Sequence, residues 1–596
     1  MVLFEKNFKA LASKNPSLAG RVENAADMPH LAVAESRSGL PVPRIGALAL
    51  HSLYHPEAEG DKFSTLAPAN KDATLIVFGF GFGYHLEKIV ERPGRIIVIE
   101  PSLSIVKSGF ERRDLSGLIE RVEIVLPEEF ALVAQGLNPL KTEWIDHEPS
   151  ARIFRDERDL LFKPFSVRKY ATENRLKIMV VGPVYGGSVP TAVSCARALG
   201  QLGFDVDFVD NTPRYPEMTS VELVTPNKSH TATLKKLFSD YLGERIIARA
   251  DHVRPDMILA LAQAPMSPAV IERLKALDIP IIYWFVENHR ATPYWKSLAP
   301  YYDYFFAMQK GEFLDDLARA GAPYAAYLPQ AADPAIHHPA RVTETDMEKY
   351  GSPLSFMGAG YPNRRKFFAG LLDLPLAVWG TEWDLNTPLG QRVKNANRRM
   401  SPEEYVKIFL ASGINLNLHS SLSHPGIDPM KDFVNPRTFE IAACGAFQLT
   451  DHRSELPEMF RIGEEIEVFQ TVEELRDKIA YYLTRPGERE KIAHAGMRRV
   501  LREHTFVHRL ADMMSAVLPR EQERMNRRRG KISSVNDADS IIARAKDEEL
   551  KKFLAPFAGQ GALSLKKVMD RIEKGEGALT KPEIVFMMID QIFSQG

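Results

Sequence analysis

Cysteine is nearly absent from this chain: Cys195 and Cys444 are the two among 596 residues. They lie far apart in apolar helical contexts, so neither a disulfide framework nor a metal cluster is indicated. A net charge of −1 gives no electrostatic reason to expect nucleic acid or an anionic membrane as a partner. The sequence lacks an apolar run of the ~18 residues that a membrane span needs, and its first residues lack the apolar core of a signal peptide. We therefore expect a cytoplasmic protein.

What the chain does have is the composition and length of several globular domains. Hydrophobic residues make up 45% and charged residues 26% of it, as in ordinary folded proteins. At about 150 residues a domain, the length predicts three or four domains. We place them at residues 1–165, 176–330, 331–518 and 519–596, with a charged connector over 152–175 between the first two.

Strands alternate with helices through the two middle domains. The pattern predicts six strands between residues 176 and 328 and five between 354 and 469. Such alternation favours parallel sheets covered by helices on both faces, with ligands beyond the carboxyl ends of the strands. We therefore predict an α/β fold of two tandem Rossmann-like, doubly wound domains. A smaller Rossmann-like unit precedes them and a helical appendix follows.

A loop, a short helix and a buried strand are predicted over residues 432–451. Asn435 suits the N-cap and Pro436 the first helical position, and Gly445 ends the helix. A helix N-terminus suits a diphosphate because its N–H groups are unpaired and its partial charge is positive. Glu440, one turn further in, can accept hydrogen bonds from a ribose, and we expect it to be solvated at the mouth of a cleft. This arrangement fits a nucleotide-sugar.

The run Asn435-Pro-Arg-Thr-Phe-Glu440-Ile-Ala-Ala-Cys-Gly445 resembles the donor-binding segment of GT-B glycosyltransferases, where two acidic residues frame the donor. It is closest to the CgeB-like branch, although Asp432 stands where that family has glutamate. The resemblance covers residues 176–517 and implies a metal-independent glycosyltransferase that needs a nucleotide-sugar donor, for which we expect a UDP-sugar, and no other cofactor. The resemblance implies donor binding by Asp432, Asn435, Arg437, Thr438 and Glu440. From their places in glycine turns and at strand ends we also expect donor binding by Gly186, Gly187, Gly358, Arg364, Arg365 and His419.

Polar residues at predicted strand ends supply the catalytic candidates. Arg365, with Arg364, opens a helix after a glycine turn, where a guanidinium can neutralise a leaving diphosphate without a metal ion. Glu287 and His289 follow a strand of the first half, and either could act as general base in an inverting enzyme. Retention and inversion both stay open. Three residues of the loop 420–433 could close over the sugar: His424, Asp428 and Lys431.

A second glycine-rich turn follows the predicted strand 74–78. Its glycines are Gly79, Gly81 and Gly83, and Glu100 ends the next strand, a pattern typical of a dinucleotide or S-adenosylmethionine site. Residues 51–58, 79–86 and 98–101 also resemble the Maf-type motility-associated flagellin glycosylation factors. That resemblance implies a protein acceptor, flagellin in particular. We expect a binding or structural role here rather than a reaction.

Two other functions stay open beside the glycosyltransferase. One is an S-adenosylmethionine- or NAD-dependent enzyme centred on Gly79–Gly83, and the other is a non-catalytic scaffold that binds nucleotides. The C-terminal helices over 535–596 could serve docking, dimerisation or acceptor recognition, and the acceptor could be a glycan as well as a protein.

Overall fold

The computed structural model describes residues 2–422, 424–430, 432–560, 563–575 and 577–594. The chain divides into two compact units, one of Met1–Arg273 with Ile281–Ser515 and one of Leu274–Pro280 with Ala516–Gly596. None of the described helices combines the length and the apolar composition needed to cross a bilayer.

The first part of the larger unit contains a three-stranded antiparallel sheet and a four-stranded parallel sheet of order β6-β5-β4-β7. Its strands are β1 (Leu31–Glu35), β2 (Pro41–Ile45), β3 (Leu48–Ala49), β4 (Thr74–Phe78), β5 (Ile96–Ile99), β6 (Glu123–Val125) and β7 (Thr142–Asp146). Its helices are α1 (Val2–Lys14), α2 (Pro16–Glu23), α3 (Glu59–Ser64), α4 (Leu103–Arg112), α5 (Ser116–Arg121), α6 (Pro127–Gln135), α7 (Glu148–Ile153) and α8 (Arg155–Glu173). Strands β4 and β5 are buried on both faces, because runs of branched apolar residues suit a sheet covered on both sides.

Two features of this part differ from the sequence analysis. The sequence pattern of residues 1–165 predicts three strands, the third at 122–126, whereas β7 is a fourth parallel strand that pairs with β4 along its whole length. Its sequence, Thr-Glu-Trp-Ile-Asp, mixes polar and apolar residues and gives no clear period. The predicted connector is largely the helix α8, whose Leu161 and Phe165 pack into the core of this sheet. The charged residues in 152–175 therefore belong to an amphipathic helix of the first part.

The second part is a six-stranded parallel sheet of order β13-β12-β11-β10-β8-β9. Its strands are β8 (Lys177–Val181), β9 (Asp205–Val209), β10 (Met257–Leu261), β11 (Ile281–Phe285), β12 (Tyr304–Ala307) and β13 (Ala325–Tyr327). Its helices are α9 (Ser188–Gln201), α10 (Tyr215–Leu223), α11 (Lys228–Val253), α12 (Pro268–Ala276), α13 (Trp295–Leu298) and α14 (Glu312–Arg319).

The third part is a five-stranded parallel sheet of order β15-β14-β16-β17-β18. Its strands are β14 (Ser352–Met357), β15 (Leu376–Trp379), β16 (Ser412–Asn417), β17 (Gln448–Asp451) and β18 (Glu467–Phe469). Its helices are α15 (Glu344–Tyr350), α16 (Pro362–Ala369), α17 (Pro402–Leu410), α18 (Pro436–Ala443), α19 (Leu456–Met459), α20 (Val472–Leu483) and α21 (Pro486–Glu503).

Both of these sheets reverse their strand order beside their first strand. Strand β8 lies between β9 and β10, and β14 lies between β15 and β16. In doubly wound sheets the ligand binds in the crevice at this reversal, beyond the carboxyl ends of the strands. The loops that leave β8 and β14 carry Gly186 and Gly358. The predicted fold class, two tandem doubly wound domains, is confirmed.

The chain returns from the third part to the segment that joins the two large sheets. The N–H of Ala332 donates to the carbonyl of His504, and the N–H of Phe506 donates to the carbonyl of Ala332, both at 3.0 Å. The ring of Phe506 lies 6.0 Å from that of Trp284 on β11. The segment that follows α21 thereby packs against β11 and against the residues that follow β13.

The last helices form a small core of their own. They are α22 (Phe506–Asn536), α23 (Ala538–Arg544), α24 (Glu548–Leu554), α25 (Leu565–Ile572) and α26 (Lys581–Ser594). The helix α22 runs through residue 519, where the sequence analysis placed a domain start. Five buried residues form the core of the appendix: Ala538, Leu554, Phe557, Val568 and Ile572.

Candidate active site

The helix α18 begins as the sequence predicts. Asn435 is its N-cap, and its side-chain oxygen accepts a hydrogen bond from the N–H of Thr438 at 3.2 Å. The Asn435 amide donates to Asn417 at the end of β16 at 2.8 Å, and Asn417 donates to the Thr438 hydroxyl at 3.0 Å. Gly445, with a φ of +73°, follows the helix. Asn435 and Thr438 thus fix the helix start to the sheet edge.

His419 is fully buried and contacts the start of this helix. Its Nδ1 lies 2.7 Å from Asp451, and its Nε2 accepts the N–H of Asn435 at 2.8 Å. Nδ1 therefore carries the proton, and burial lowers the pKa of the ring to about 4. Burial raises the pKa of Asp451, but His419 and the buried Arg453 lower it by more. The net pKa is below the usual value, so this carboxylate stays ionised. With both nitrogens engaged, His419 orients the loop before α18.

The two arginines after the Gly358 turn have different surroundings. Arg364 is buried and donates from Nε to the carbonyl of Leu418 at 2.9 Å and from Nη1 to that of Ala359 at 3.0 Å. Burial lowers its pKa to about 10. Arg365 is exposed and donates from Nε to the carbonyl of Gly360. Arg364 thus ties the turn to β16, while Arg365 lies exposed beside it in α16.

Glu440 is not the solvated acid that the sequence analysis expects. It is 7% exposed and forms an ion pair with Arg437 one turn earlier. Its other oxygen lies 3.9 Å from Nε2 of His337, whose pKa burial lowers to about 3. The Arg437 guanidinium also lies 4.5 Å from the ring centre of Tyr405. The helix side chains pair locally because Arg437 and Glu440 share one face at a spacing of three.

Asp432 meets the loop that follows β11 of the first large sheet. It forms an ion pair with Arg290 and accepts a hydrogen bond from the Gln309 amide at 3.1 Å. The oxygen of Gln309 accepts the backbone N–H of His289 at 2.9 Å and lies 3.0 Å from its Nδ1. Nδ1 must therefore donate, and Nε2 of His289 keeps its lone pair. Burial lowers the pKa of this histidine, which keeps it neutral and able to accept a proton.

Glu287 lies on the same loop with its carboxylate half-buried. It accepts the hydroxyl hydrogen of Tyr294 at 2.9 Å, and burial raises its pKa. Burial raises the pKa of Tyr361, the residue before α16, and the nearby charge of Glu287 raises it further. The two predicted base candidates, Glu287 and His289, are thus brought to the side of the cleft that faces the second large sheet.

The glycine loop after β8 also reaches the opposite domain. The carbonyl of Gly186 accepts a hydrogen bond from Arg399 at 2.9 Å. Gly186 has a φ of +111°, and a Cβ there would lie 2.7 Å from the Gln263 side chain. Gly187 is exposed and directly precedes α9. The crevices of the two large sheets therefore open toward each other.

The predicted sugar-closing loop is held mainly by its own bonds. The hydroxyl of Ser421 donates to Asp428 at 2.5 Å, and the N–H of His424 donates to the Ser421 hydroxyl at 3.1 Å. Nδ1 of His424 accepts the N–H of Gly426 at 3.2 Å. Lys431, the third residue named for this role, lies outside the described residues.

The second predicted nucleotide site has its backbone N–H groups occupied by side chains of the chain itself. Glu100 accepts the N–H groups of Phe80 at 2.8 Å and Gly81 at 3.1 Å with one oxygen and that of Ser102 at 2.9 Å with the other. The N–H of Phe82 donates to Nε2 of His51 at 2.9 Å. Glu100 is fully buried, and burial raises its pKa to about 7. Gly79, Gly81 and Gly83 have φ values of +101°, +52° and +76°.

Three residues of the candidate site went unnoticed in the sequence analysis. Gln309 and Asp451 lie at the carboxyl ends of β12 and β17, so the rule that found His419 could have found them as well. Arg399 lies in the long loop between β15 and α17, where no periodic pattern marks it.

Part of this chain matches a known protein family. Residues 364–515 match the family described as "Glycosyl transferase-like". Spore protein CgeB of Bacillus subtilis (strain 168) is 26% identical over 277 residues, which are 44% of this chain and 82% of that protein. The predicted resemblance to CgeB-like proteins and the predicted enzyme class, a glycosyltransferase, are confirmed.

Solved structures of similar shape include two transferases. The sucrose-phosphate synthase from Thermosynechococcus elongatus matches with a TM-score of 0.40 and 13% identity over 58% of this chain and 99% of that one. The glycosyltransferase from Rickettsia africae ESF-5 matches with a TM-score of 0.41 and 13% identity over 58% of this chain and 98% of that one. Because these scores are below 0.5, the fold assignment rests on the strand orders described above.

Proposed function

We propose that this chain, a glycosyltransferase related to the spore protein CgeB, transfers a sugar from a nucleotide-sugar to an acceptor hydroxyl in the cleft between its two doubly wound domains. The observation that supports this most is the meeting of the two crevices through Arg290 with Asp432 and Gly186 with Arg399. The family match over residues 364–515 covers the donor side of that cleft.

On the donor side, helix α18 and Arg365 share the work of holding a diphosphate. The start of α18 supplies a partial positive charge, and Arg365 supplies a mobile guanidinium that suits a phosphate. Glu440 accepts hydrogen bonds from the ribose once its pair with Arg437 adjusts to the ligand. The start of α18 and Arg365 neutralise the negative charge that develops as the diphosphate departs. Electrostatic stabilisation at that point lowers the barrier of the reaction. We propose a UDP-sugar as the first donor to test.

On the acceptor side, His289 is the residue we propose as general base if the reaction inverts the sugar. Its Nε2 keeps a lone pair because Nδ1 donates to Gln309. The same Gln309 donates to Asp432, so the base is oriented by a residue that also meets the donor-side loop. Glu287, whose pKa burial raises, is the alternative base.

We propose a protein hydroxyl as the acceptor, with flagellin as the first protein to test. This rests on the resemblance of residues 51–101 to the Maf-type flagellin glycosylation factors. The rival, an S-adenosylmethionine- or NAD-dependent enzyme centred on Gly79–Gly83, is disfavoured because Glu100 and His51 already accept the turn N–H groups.

The test is a ligand panel followed by a turnover assay. Thermal unfolding is measured with UDP, GDP, ADP, S-adenosylmethionine and NAD, and hydrolysis of the matching sugar-nucleotides is then followed without acceptor. We expect a nucleoside diphosphate to raise Tm and its sugar form to be hydrolysed. The same assays are run on Glu440→Gln, which should bind the nucleoside diphosphate less well. Glu464→Gln, a substitution of an exposed acid in the same domain, is its matched control. A Tm shift with S-adenosylmethionine or NAD alone would contradict the proposal.

A further inference from the structure

Three buried histidines meet at the first parallel sheet. They are His51 after β3, His85 just beyond the glycine turn, and His147 directly after β7, and they are 3%, 1% and 4% exposed. Each offers one ring nitrogen, and these nitrogens all lie within 4.8 Å of one another. Their positions in the sequence are 34 and 62 residues apart, so no ligand spacing in the sequence marks the group.

This cluster occupies the place where a doubly wound sheet binds its ligand. Strands β4 and β7 are neighbours in the order β6-β5-β4-β7, and it is between them that the strand order reverses. Crevices at such reversals are the usual ligand sites of open α/β sheets. His85 and His147 follow these two strands at their carboxyl ends. The chain has thus placed three imidazoles where other such sheets admit a ligand.

Each of the three rings has one nitrogen held by a separate partner. Nδ1 of His51 donates to Glu59 at 2.7 Å, and Nε2 of His85 donates to the carbonyl of Gly79 at 3.1 Å. Nδ1 of His147 lies 2.8 Å from the hydroxyl of Ser150. A histidine that binds a metal ion characteristically has its other nitrogen held in this way by a carboxylate, a carbonyl or a hydroxyl, which fixes the tautomer and the ring direction.

The remaining nitrogens include one that has no partner. Nδ1 of His85 is buried and makes no hydrogen bond within the described part of the chain. Because Nε2 of that ring donates to Gly79, Nδ1 carries an unshared lone pair. Nε2 of His51 accepts the N–H of Phe82 and would exchange that bond for an ion. Buried acceptors normally find a partner, so the free lone pair of His85 points to a missing ligand.

We propose that His51, His85 and His147 bind one divalent transition-metal ion, with Zn²⁺ as the first candidate. Three imidazoles are a donor set that suits zinc, copper, iron and nickel. Zinc–nitrogen bonds of about 2.0–2.1 Å place tetrahedral ligand atoms about 3.3 Å apart. The rings of His85 and His147 are stacked with their centres 3.9 Å apart, so one of them turns out of the stack when the ion binds. The Glu59 carboxylate on His51 offsets part of the added charge. Because His51, His85 and His147 come from three separate segments, the ion would bind the glycine turn to β7, and three protein ligands leave its fourth position open.

The test uses the full chain, dialysed against a chelator and then titrated with ZnCl₂ or CoCl₂. We expect one ion per chain, a rise in Tm on binding, and visible Co²⁺ absorption of a nitrogen-rich site. His85→Asn and His147→Asn should each weaken binding more than about 100-fold. Glu59→Gln, which removes the charge behind His51 and one of the two oxygens that accept from His51 and Ser52, should weaken it by about 10- to 100-fold. His508→Asn is the matched control, since His508 is also buried and bonded through Nδ1, to Thr505.

The readouts do not depend on the histidine variants folding or on any transferase activity. Wild-type protein that takes up no ion at a 1:1 ratio, or whose Tm Zn²⁺ leaves unchanged, would overturn the proposal. So would His85→Asn and His147→Asn variants that bind Co²⁺ as wild type does. If these variants fail to fold, the stoichiometry of the wild type and the affinity of Glu59→Gln still decide.

Discussion

The glycine turns after β4 and after β14 show how one motif can serve two purposes. Both follow the first strand of a parallel sheet at the point where the strand order reverses. In the first, side chains accept the turn N–H groups: Glu100 those of Phe80 and Gly81, and His51 that of Phe82. In the second, backbone carbonyls accept them: Trp379 that of Gly358 at 3.0 Å and Thr381 that of Gly360 at 2.8 Å.

The difference lies in what remains exposed around each turn. The first turn is covered by buried histidines, and its glycines make room for them: a Cβ on Gly81 would lie 2.6 Å from Nε2 of His51. The second turn ends in α16, whose Arg365 is exposed toward solvent. A glycine-rich turn therefore shows where backbone must pass closely. Whether a phosphate binds there depends on the neighbouring side chains.

The largest expected effect tests the donor side of the cleft at Glu440, which is buried beside Arg437. Glu440→Ala should lower donor affinity or turnover by about 10- to 1000-fold, because a carboxylate–hydroxyl bond in such a site is worth roughly 1.5–3 kcal/mol and a ribose diol can make two. Stability should fall as well, since Arg437 loses its partner. Glu440→Gln keeps the shape and one acceptor and should lose less of both. The measurements are Kd for the nucleotide and the urea midpoint.

A ligand cycle separates the ribose contact from the structural effect of this substitution. The 2′-deoxy form of the donor should bind less well to wild type and about equally well to Glu440→Ala, and the difference is the coupling energy. A coupling near zero would leave Glu440 with its pair to Arg437 as its only role.

The second prediction tests the turn after β4 (residues 79–83), whose N–H groups are already bonded and which we call the closed turn, through the pH dependence of stability. Burial raises the pKa of Glu100 from 4.5 to about 7, so the folded chain holds this proton more tightly than the unfolded chain. The stabilisation is present below about pH 4.5 and is lost as the pH rises through 7, by about 3 kcal/mol in total. Urea unfolding at pH 4.5 and 8 should show a smaller difference for Glu100→Gln than for wild type. Identical differences would contradict the burial of an ionisable acid.

The third prediction compares a glycine of the closed turn with one of the open cleft. Gly81→Ala places a Cβ 2.6 Å from His51 at a φ of +52° and should cost about 2 kcal/mol of stability. Gly187→Ala is the control, because Gly187 has a φ of −69° and its Cβ would meet nothing within 4 Å. Donor hydrolysis by Gly81→Ala, measured well below its Tm, should match wild type. A large loss of hydrolysis would tie the closed turn to the reaction.

The smallest expected effect distinguishes the two arginines of the second turn. Arg365→Ala should weaken UDP binding about tenfold, roughly 1.4 kcal/mol, with uridine binding and Tm unchanged. Arg364→Ala should lower Tm, because its guanidinium joins the carbonyls of Leu418 and Ala359. Lys366→Ala, the adjacent exposed cation, is the control. Equal loss of UDP and uridine binding in Arg365→Ala would mean that this arginine shapes the pocket and does not bind phosphate.

The sequence by itself determined the alternation of strands and helices and the start of α18. These depend on local physics: buried parallel strands need unbroken apolar runs, and Asn435 with Pro436 satisfies the chemistry of a helix N-terminus. The carboxyl-edge rule also located Glu287, His289 and His419, because every parallel strand ends at the same edge. The strand β7 and the amphipathic helix α8 were not predicted from the sequence, because the periodicity of their apolar residues is weak.

Only the tertiary structure decided which side chains are already paired. Sequence spacing makes Glu100, Glu440 and His419 equivalent polar residues near a cleft. The folded chain gives Glu100 three backbone N–H groups, Glu440 an arginine and His419 an aspartate. It also brings His51, His85 and His147 within 4.8 Å. Except for Arg437 with Glu440 and Ser102 with Glu100, these partners are far apart in sequence, so no local pattern could reveal them. Their burial then sets both the pKa of each group and whether it can reach a ligand.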